Sequence, residues 1–278
     1  MSGEFRKVSV FQEEILGFYK SNKRFLAWRE TTSVYEVAVS EFMLQQTQVS
    51  RVQEKYVSFL QRFPSAQDLA GASQKDVLLA WQGLGYNRRA LWLQGLASFL
   101  VTNPAPTYEE LLSVKGVGSY TAAAICSFAY NQDIVVSDVN VSRVFTRFFG
   151  GDDKELLQEA LPQGKSRDWY NALMDFGSLV CTKKRPSCSS CPLASSCYAL
   201  KNDSFSEEKS SSQKRFVGSL RWHRGEILKA LLKQPRTQEQ LWYYLDEKYR
   251  DTALLSLALD QYVEEGFVRR DDGLFVVA

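Results

Sequence analysis

Apolar residues recur every three or four positions along the first 200 residues, and no long stretch there alternates between apolar and polar residues. This spacing is typical of amphipathic helices and not of half-buried strands. The segment SVYE at residues 33–36 predicts a helix start of the capping-box type. Thr47 is predicted to cap the next helix, whose apolar stripe consists of Val49, Val52, Tyr56 and Phe59.

The pattern changes near residue 200. Residues 201–215 are polar and lack periodicity, which indicates a linker. Three short helical patterns follow, and RRDDGLFVVA predicts a two-stranded hairpin that turns at Asp272-Gly273. We therefore predict a helical domain over residues 1–200 and a small winged-helix-like domain over residues 216–278. Such a domain binds DNA in some proteins and packs against protein in others.

Composition narrows the class of protein. No apolar run approaches the roughly eighteen residues that a membrane span needs, and the N-terminal residues lack the apolar core of a signal peptide. We expect a cytoplasmic protein with no membrane partner, and a monomer, since no apolar seam suggests a dimer. The net charge of +2 does not by itself predict nucleic-acid binding. Local basic clusters such as Lys183-Lys184-Arg185 are either binding surfaces or solvated surface.

Four of the five cysteines lie close together, at Cys181, Cys188, Cys191 and Cys197. In a reducing compartment this density favours metal ligands over disulfides. Structural zinc sites usually contain two close pairs, whereas only one CxxC pair occurs here, so an iron–sulfur cluster is favoured and zinc stays open. Cys126 lies in the apolar segment AAAICSFAY and is expected to be a buried core thiol.

The segment LLSVKGVGSYTAAAI predicts two helices joined by a Gly-Val-Gly turn. The first helix is predicted to end at Val114 and the second to begin at Ser119. Gly116 and Gly118 are expected to supply the positive φ and the close approach that such a turn requires. Free backbone amides at the turn suit a phosphate oxygen, although most such turns only join helices.

Two carboxylates are candidates for catalysis. Glu41 lies among apolar residues in SEFMLQQ, and Asp138 follows an apolar run in VVSDVN, where it also suits the N-cap of the next helix. Acid-assisted cleavage of a glycosidic bond uses two carboxylates held in different environments. Capping alone is the alternative role for Asp138.

A glycine turn in WQGLGYNRRA carries a candidate for insertion into a base stack. Tyr86 follows two glycines and precedes Arg88 and Arg89. An exposed aromatic there would wedge between bases while the cations hold phosphates. Packing of the ring against the protein is the alternative.

These segments, taken in order, resemble the helix-hairpin-helix DNA glycosylases that carry an iron–sulfur cluster, and among them the MutY adenine glycosylases. The resemblance covers roughly residues 8–200 and rests on SEFMLQQTQV, GLGY, GVGSYTAAA, SDVNVSRV, ALMDFGSLVC and the cysteine spacing. It implies a mainly α, two-lobed domain that binds double-stranded DNA with a mismatched adenine in the cleft between the lobes. It also implies that Cys181, Cys188, Cys191 and Cys197 ligate a 4Fe-4S cluster.

The resemblance also implies roles for individual residues. Glu41 would protonate the departing adenine, Asp138 would stabilise the positive charge left on the sugar, and Tyr120 and Asn140 would support both. Gln46 and Tyr86 would insert into the base stack. The residues expected at DNA phosphates are Arg88, Lys115, Gly116, Gly118, Lys183, Lys184 and Arg185.

Tyr120 stands where the endonuclease III-like relatives have a lysine that forms a Schiff base, so the resemblance implies a glycosylase without lyase activity. The chain departs from the family at Asn87-Arg88, where a second tyrosine is usual, and it ends in the short tail instead of a Nudix-like domain. Adenine as the excised base is therefore better supported than 8-oxoguanine as its partner, and we expect excision of adenine opposite 8-oxoguanine or guanine. A thymine–guanine mismatch glycosylase and a non-catalytic, redox-sensing winged-helix regulator remain alternatives.

Overall fold

The computed structural model describes residues 2–205 and 215–278, the side chains from residue 7 onward. Most of the predicted linker therefore lies outside the described residues. The protein is mainly helical, as the apolar spacing predicts. The fifteen α-helices of the described residues are α1 Ser2–Asn22, α2 Val34–Leu44, α3 Val49–Arg62, α4 Ala66–Ala70, α5 Gln74–Ala80, α6 Arg88–Thr102, α7 Tyr108–Leu112, α8 Ser119–Tyr130, α9 Val139–Phe149, α10 Lys154–Glu159, α11 Ser166–Leu179, α12 Tyr198–Asn202, α13 Leu220–Lys233, α14 Gln238–Tyr244 and α15 Thr252–Glu264. Two strands, β1 Val268–Asp271 and β2 Leu274–Val277, follow.

The chain divides into two compact units. The first comprises Met1–Gln45 and Phe99–Lys209, and the second comprises Gln46–Ser98 and Ser210–Ala278. The elements of the C-terminal tail thus group with an earlier part of the chain. The predicted boundary between residues 1–200 and the tail stays a prediction.

The first unit is built around helices α1, α9 and α11. Helix α11 packs against both α1 and α9, and α2 packs against α8. The ring of Phe11 is fully buried and lies edge-on to Phe145 and Trp169, with centroid distances of 5.2 and 5.6 Å. These aromatic contacts are expected to fix the position of α9, which carries several of the candidate site residues.

Helices α9 and α11 approach each other closely at Gly177. A Cβ atom at this position would lie 2.8 Å from the Cβ of Asn140 and 3.4 Å from its Cα. No side chain larger than hydrogen fits at that separation without moving one of the helices. Glycine at this position therefore sets the spacing of the two helices.

Local capping signals place the starts of two helices where the sequence predicts them. The Ser33 side chain accepts a hydrogen bond from the backbone amide of Glu36 at the start of α2. Asp138 caps α9. The prediction for Thr47 is wrong: α3 follows Gln48, and the Thr47 hydroxyl donates instead to the carbonyl oxygen of Leu84 at 3.4 Å.

The tail contains three helices and a hairpin, as its pattern predicts. Strands β1 and β2 pair antiparallel, with Val268 opposite Val277, and the turn at Asp272-Gly273 has positive φ at both residues. Helix α13 packs against α15, and also against α5 from the earlier part of the same unit. Within the described residues, none of the helices combines the length and apolar character needed to cross a membrane.

Candidate active site and cysteine loop

Glu41 lies on α2 and is almost completely buried, with 5% of its surface exposed. Burial raises the pKa of its carboxyl from 4.5 to about 7, because a charge in an apolar environment loses hydration. A hydrogen bond with Tyr120 lowers this pKa, while the nearby Asp138 raises it. The carboxyl therefore exchanges its proton close to neutral pH, which suits a general acid.

Arg29 contributes to the electrostatics around Glu41. Its positive charge is among the causes that lower the pKa of Glu41. The guanidinium is fixed by Asp175 of α11, which accepts from Arg29 Nη1 and Nη2 at 2.8 and 2.9 Å. Such a bidentate pair holds both groups in one orientation.

Asp138 performs the capping role that the sequence predicts and still presents its carboxylate next to Glu41. Its Oδ1 accepts from the backbone amides of Asn140 and Val141 at 2.9 and 2.7 Å. Its Oδ2 accepts from the side-chain amide of Asn140 at 2.8 Å. Three donors thus hold the carboxylate in place at the N-terminus of α9, where the helix dipole favours negative charge.

Arg143 fixes the orientation of the Asn140 amide. Its Nη2 donates to Asn140 Oδ1 and to the carbonyl oxygen of Gly177, both at 2.7 Å. Its Nε donates at 2.9 Å to the carbonyl oxygen of Cys181. Cys181 is the first residue of the segment 181–197 that carries the four clustered cysteines, here called the cysteine loop. A single buried guanidinium therefore connects the amide that holds Asp138 with the start of the cysteine loop.

The hairpin between α7 and α8 has the predicted form with two differences. The first helix ends at Leu112, two residues earlier than predicted, and positive φ occurs only at Gly116, with a value of 90°. Gly118 has a φ of −92° and is the N-cap of α8. Lys115 is exposed beside the turn. Tyr120 follows in the first turn of α8, and burial together with Glu41 holds its pKa well above 10.

The four clustered cysteines line one cavity, which Arg147 and Phe205 also border. Burial, together with the charges of Cys181, Cys197 and Cys188, raises the pKa of Cys191 to about 11. Among the described residues, no group of three or more His, Cys, Asp or Glu side chains is arranged to hold a metal ion. Cys126 is completely buried elsewhere, in α8, as predicted.

Arg147 organises the backbone of the cysteine loop. Its Nη1 donates to the carbonyl oxygen of Thr182 at 2.8 Å, and its Nη2 donates to that of Lys183 at 2.9 Å. Its Nη1 also lies 3.4 Å from the Cys181 Sγ. The side chains of Lys183, Lys184 and Arg185 are exposed. Arg147 thus holds the backbone of the loop from the inside, while the basic side chains face solvent.

Gln46 and Tyr86 share an unusual backbone conformation within the second unit. Both are exposed non-glycine residues with positive φ, 54° at Gln46 and 47° at Tyr86. Such residues are uncommon and concentrate at functional sites. The buried Arg89 joins the two segments, because its Nη2 donates to Thr47 Oγ1 at 3.1 Å and to the carbonyl oxygen of Gly85 at 3.0 Å. Arg88 is half-exposed.

Several residues that shape the site are absent from the sequence-based prediction. Arg143 and Arg147 lie four residues apart on one face of α9, among apolar residues that become the core. Arginines inside an apolar stripe indicate buried, fully bonded side chains, and this signal was available in the sequence. Gly177 gave no such signal, because its importance depends on a neighbouring helix.

Comparison with known proteins agrees with this geometry. Residues 39–164 match the HhH-GPD superfamily of base excision DNA repair proteins. The adenine DNA glycosylase of Mycolicibacterium smegmatis is 35% identical over 289 aligned positions, covering 98% of this chain and 97% of that protein. The structure of a thermostable thymine-DNA glycosylase is 28% identical, with a TM-score of 0.67, and the match covers 71% of this chain and 98% of that one. A non-covalent endonuclease III–DNA complex shares the fold, with a TM-score of 0.62 at 19% identity over 72% of this chain and 97% of that one.

The extent of the match to the M. smegmatis enzyme is decisive, because it includes the C-terminal tail as well as the helical region. The sequence-based resemblance is therefore confirmed at the level of the family. The chain belongs to the MutY-type adenine DNA glycosylases of the HhH-GPD superfamily.

Proposed function

We propose that the protein excises adenine opposite 8-oxoguanine or guanine in double-stranded DNA, as a monomer, and leaves the sugar–phosphate strand intact. The observation that carries the proposal is the buried carboxyl of Glu41, whose pKa is raised to about 7. At neutral pH a large fraction of this carboxyl is protonated. It then donates its proton to the leaving base.

The reaction requires one proton donor and one stabilising negative charge. The bond between the sugar and adenine breaks with its electron pair going to the base, and the Glu41 proton neutralises the base. The carboxylate of Asp138 stabilises the positive charge that develops on the sugar. Water then adds to the sugar carbon, and its proton returns to Glu41. General acid catalysis of this kind contributes about 10²–10⁴ in rate.

Tyr120 supports hydrolysis without strand cleavage. A lyase needs an amine that forms a Schiff base with the opened sugar. Tyr120 instead carries a phenol whose pKa lies well above 10, so it stays neutral and hydrogen-bonds Glu41. We infer a monofunctional enzyme whose product is an abasic site.

The four cysteines fit a 4Fe-4S cluster better than a single ion. They line one cavity, and no three of them are arranged to hold a single metal ion. Several thiolates close together repel one another, and the positive charge of the iron atoms would relieve that repulsion. The cluster would supply four cross-links that hold the loop of Lys183, Lys184 and Arg185 in one shape for phosphate contact. The hydrolysis needs no redox step.

The cluster assignment is tested by the iron content of two matched alanine variants. We expect Cys191→Ala to lose iron and visible absorbance, because it removes one of the four ligands. Cys126→Ala removes the buried thiol outside the loop and is expected to retain about four iron atoms per chain. Zinc in place of iron in the wild-type protein, or full iron retention in Cys191→Ala, would contradict the assignment.

We propose two sets of DNA-contacting residues, one at the hairpin and one at Gln46 and Tyr86. Lys115, Gly116 and Gly118 offer a cation and backbone amides for one phosphate, since the hairpin ends at the N-terminus of α8. Gln46 and Tyr86 are proposed to enter the base stack, which their exposure and unusual backbone support.

The activity is tested by single-turnover excision on duplexes that carry A opposite 8-oxoguanine, A opposite G, A opposite T and T opposite G. We expect adenine release from the first two, with strand breaks only after alkali, and loss of release in Glu41→Gln. Thymine release would favour the activity of the 28% identical thymine-DNA glycosylase. Tight binding without release of any base would favour the regulator hypothesis.

A further inference from the structure

The C-terminal tail contacts the two residues that directly follow Tyr86. These contacts come from the end of α15 and reach the start of α6, so they join segments that are more than 170 positions apart within the second unit. Neither contact partner in the tail belongs to the residues already proposed to touch DNA or to perform the reaction.

Glu265 forms the first contact. Its Oε1 lies 2.9 Å from Arg88 Nη2, and its Oε2 lies 2.6 Å from Arg224 Nη2. Arg224 also donates from Nη1 to Gln261 Oε1 at 2.7 Å. One carboxylate therefore ties the start of α6 to α13. Because it is largely buried and shared between two arginines, it holds Arg88 more firmly than an isolated surface pair would.

Tyr262 forms the second contact. It is buried, its hydroxyl donates to the carbonyl oxygen of Arg224 at 2.7 Å, and it is hydrogen-bonded with the side chain of Asn87. The Arg224 guanidinium lies 4.3 Å from the Tyr262 ring centroid. Groups of the tail thus fix the position of the hydroxyl that contacts Asn87.

The turn that receives these contacts needs external support. Tyr86 has positive φ and a half-exposed side chain, and such a backbone conformation persists only when neighbours enforce it. Arg89 holds the inner side of the turn through the carbonyl oxygens of Leu84 and Gly85. The tail holds the residues on the other side of Tyr86.

We propose that Glu265 and Tyr262 are positioning residues that hold the Tyr86 turn ready to enter the base stack. The tail then contributes to extrusion of the target base without touching DNA at this point. The inference rests on the proposed insertion of Tyr86. It assigns Arg88 a bridging role within the protein in addition to any contact with phosphate.

The first test measures the turn in the absence of DNA. Hydrogen exchange of the peptide covering residues 81–92 is compared in wild type, Glu265→Gln, Tyr262→Phe and Glu264→Gln. Glu264 is the exposed neighbour of Glu265 and serves as the matched control. We expect exchange about fivefold faster than in wild type for Glu265→Gln and Tyr262→Phe, and a wild-type rate for the Glu264→Gln control. Unchanged exchange in folded Glu265→Gln and Tyr262→Phe would overturn the proposal.

The second test measures extrusion and chemistry separately. Stopped-flow fluorescence of 2-aminopurine placed next to the target adenine reports unstacking, and single-turnover excision reports the reaction. We expect Glu265→Gln and Tyr262→Phe to slow unstacking by about fivefold and to leave the pH dependence of excision unchanged, because Glu41 is not altered. Faster exchange with unaltered unstacking would show a merely structural contact and overturn the positioning role.

A double-mutant cycle separates the bridge from a phosphate contact. If Glu265 acts through Arg88, the double variant Arg88→Gln/Glu265→Gln unstacks no more slowly than Arg88→Gln alone. Additive effects would show that Glu265 acts independently of Arg88 and would contradict the bridge. If the wild-type protein releases no base from any duplex, the proposed function fails, while the exchange comparison still decides whether the tail holds the turn.

Discussion

Arg143 Nη2 lies 2.7 Å from Asn140 Oδ1, and this contact determines which way the Asn140 amide faces. A guanidinium only donates hydrogen bonds, so the amide oxygen must face Arg143 and the amide nitrogen must face Asp138. The nitrogen then donates to Asp138 Oδ2 at 2.8 Å. Arg143 therefore orients, through Asn140, one of the three donors that hold the proposed stabilising carboxylate.

Replacing Arg143 with lysine should slow excision although the charge is kept. Lysine lacks the planar fork that reaches Asn140, Gly177 and Cys181 at once, so buried carbonyl groups lose their partners. We expect the single-turnover rate to fall about tenfold or more, with a smaller change in DNA affinity. Arg62→Lys alters an exposed pair with Asp76 and should leave the rate unchanged. An unchanged rate in folded Arg143→Lys would contradict the positioning role.

Glu41→Gln should stabilise the fold at alkaline pH relative to wild type. The pKa of Glu41 is raised from 4.5 to about 7, so the native state binds this proton more tightly than the unfolded state. The protonated Glu41 carboxyl therefore contributes on the order of 3 kcal/mol to the unfolding free energy. This contribution is fully present below about pH 4.5 and is lost as the pH rises through about 7.

The measurement is the free energy of unfolding of wild type and Glu41→Gln at about pH 5 and pH 8.5. The variant has no proton to lose, so its advantage over wild type should grow between the two values. Glu54→Gln changes an exposed glutamate of α3 and should show no such pH-dependent difference. A constant difference between wild type and Glu41→Gln would mean that the pKa is not raised.

Tyr120→Phe should move the alkaline limb of the excision rate to higher pH. The hydrogen bond with Tyr120 lowers the pKa of Glu41, so its removal leaves the acid protonated at higher pH. We expect a lower maximal rate, since support for Glu41 is lost, but a higher pH at which half of that maximum remains. The check is single-turnover excision across the range from pH 5.5 to 9. A shift to lower pH would contradict the role of the hydrogen bond.

Gly177→Ala should impair both stability and excision. The new Cβ would lie 2.8 Å from Asn140 Cβ, an atom that cannot swing away, so α9 and α11 must separate. We expect a loss of about 1–3 kcal/mol in unfolding free energy, measured by chemical denaturation.

Gly95→Ala provides the matched control. Gly95 is an exposed glycine of α6 with open space around its Cβ position, and alanine there should raise stability by up to about 1 kcal/mol. Equal effects at the two positions would rule out the close approach as the cause.

Much of the local structure was predictable because its causes lie within a few residues. Helix starts at Ser33 and Asp138 follow from side chains that cap their own backbone. The hairpin turn at Asp272-Gly273 follows from residues that tolerate positive φ. Thr47 shows the limit of this reasoning, because a competing partner at Leu84 lies far along the chain.

The sequence by itself determined the helical class, the family, the spacing of the four cysteines and the identity of both candidate carboxylates. Tertiary structure alone decided how those groups behave. The raised pKa of Glu41 arises from burial by other elements, and the contact of Glu265 with Arg88 joins distant segments. The physical reason is that capping and periodicity act over one or two turns of chain, whereas desolvation and long-range hydrogen bonds exist only after the helices have packed.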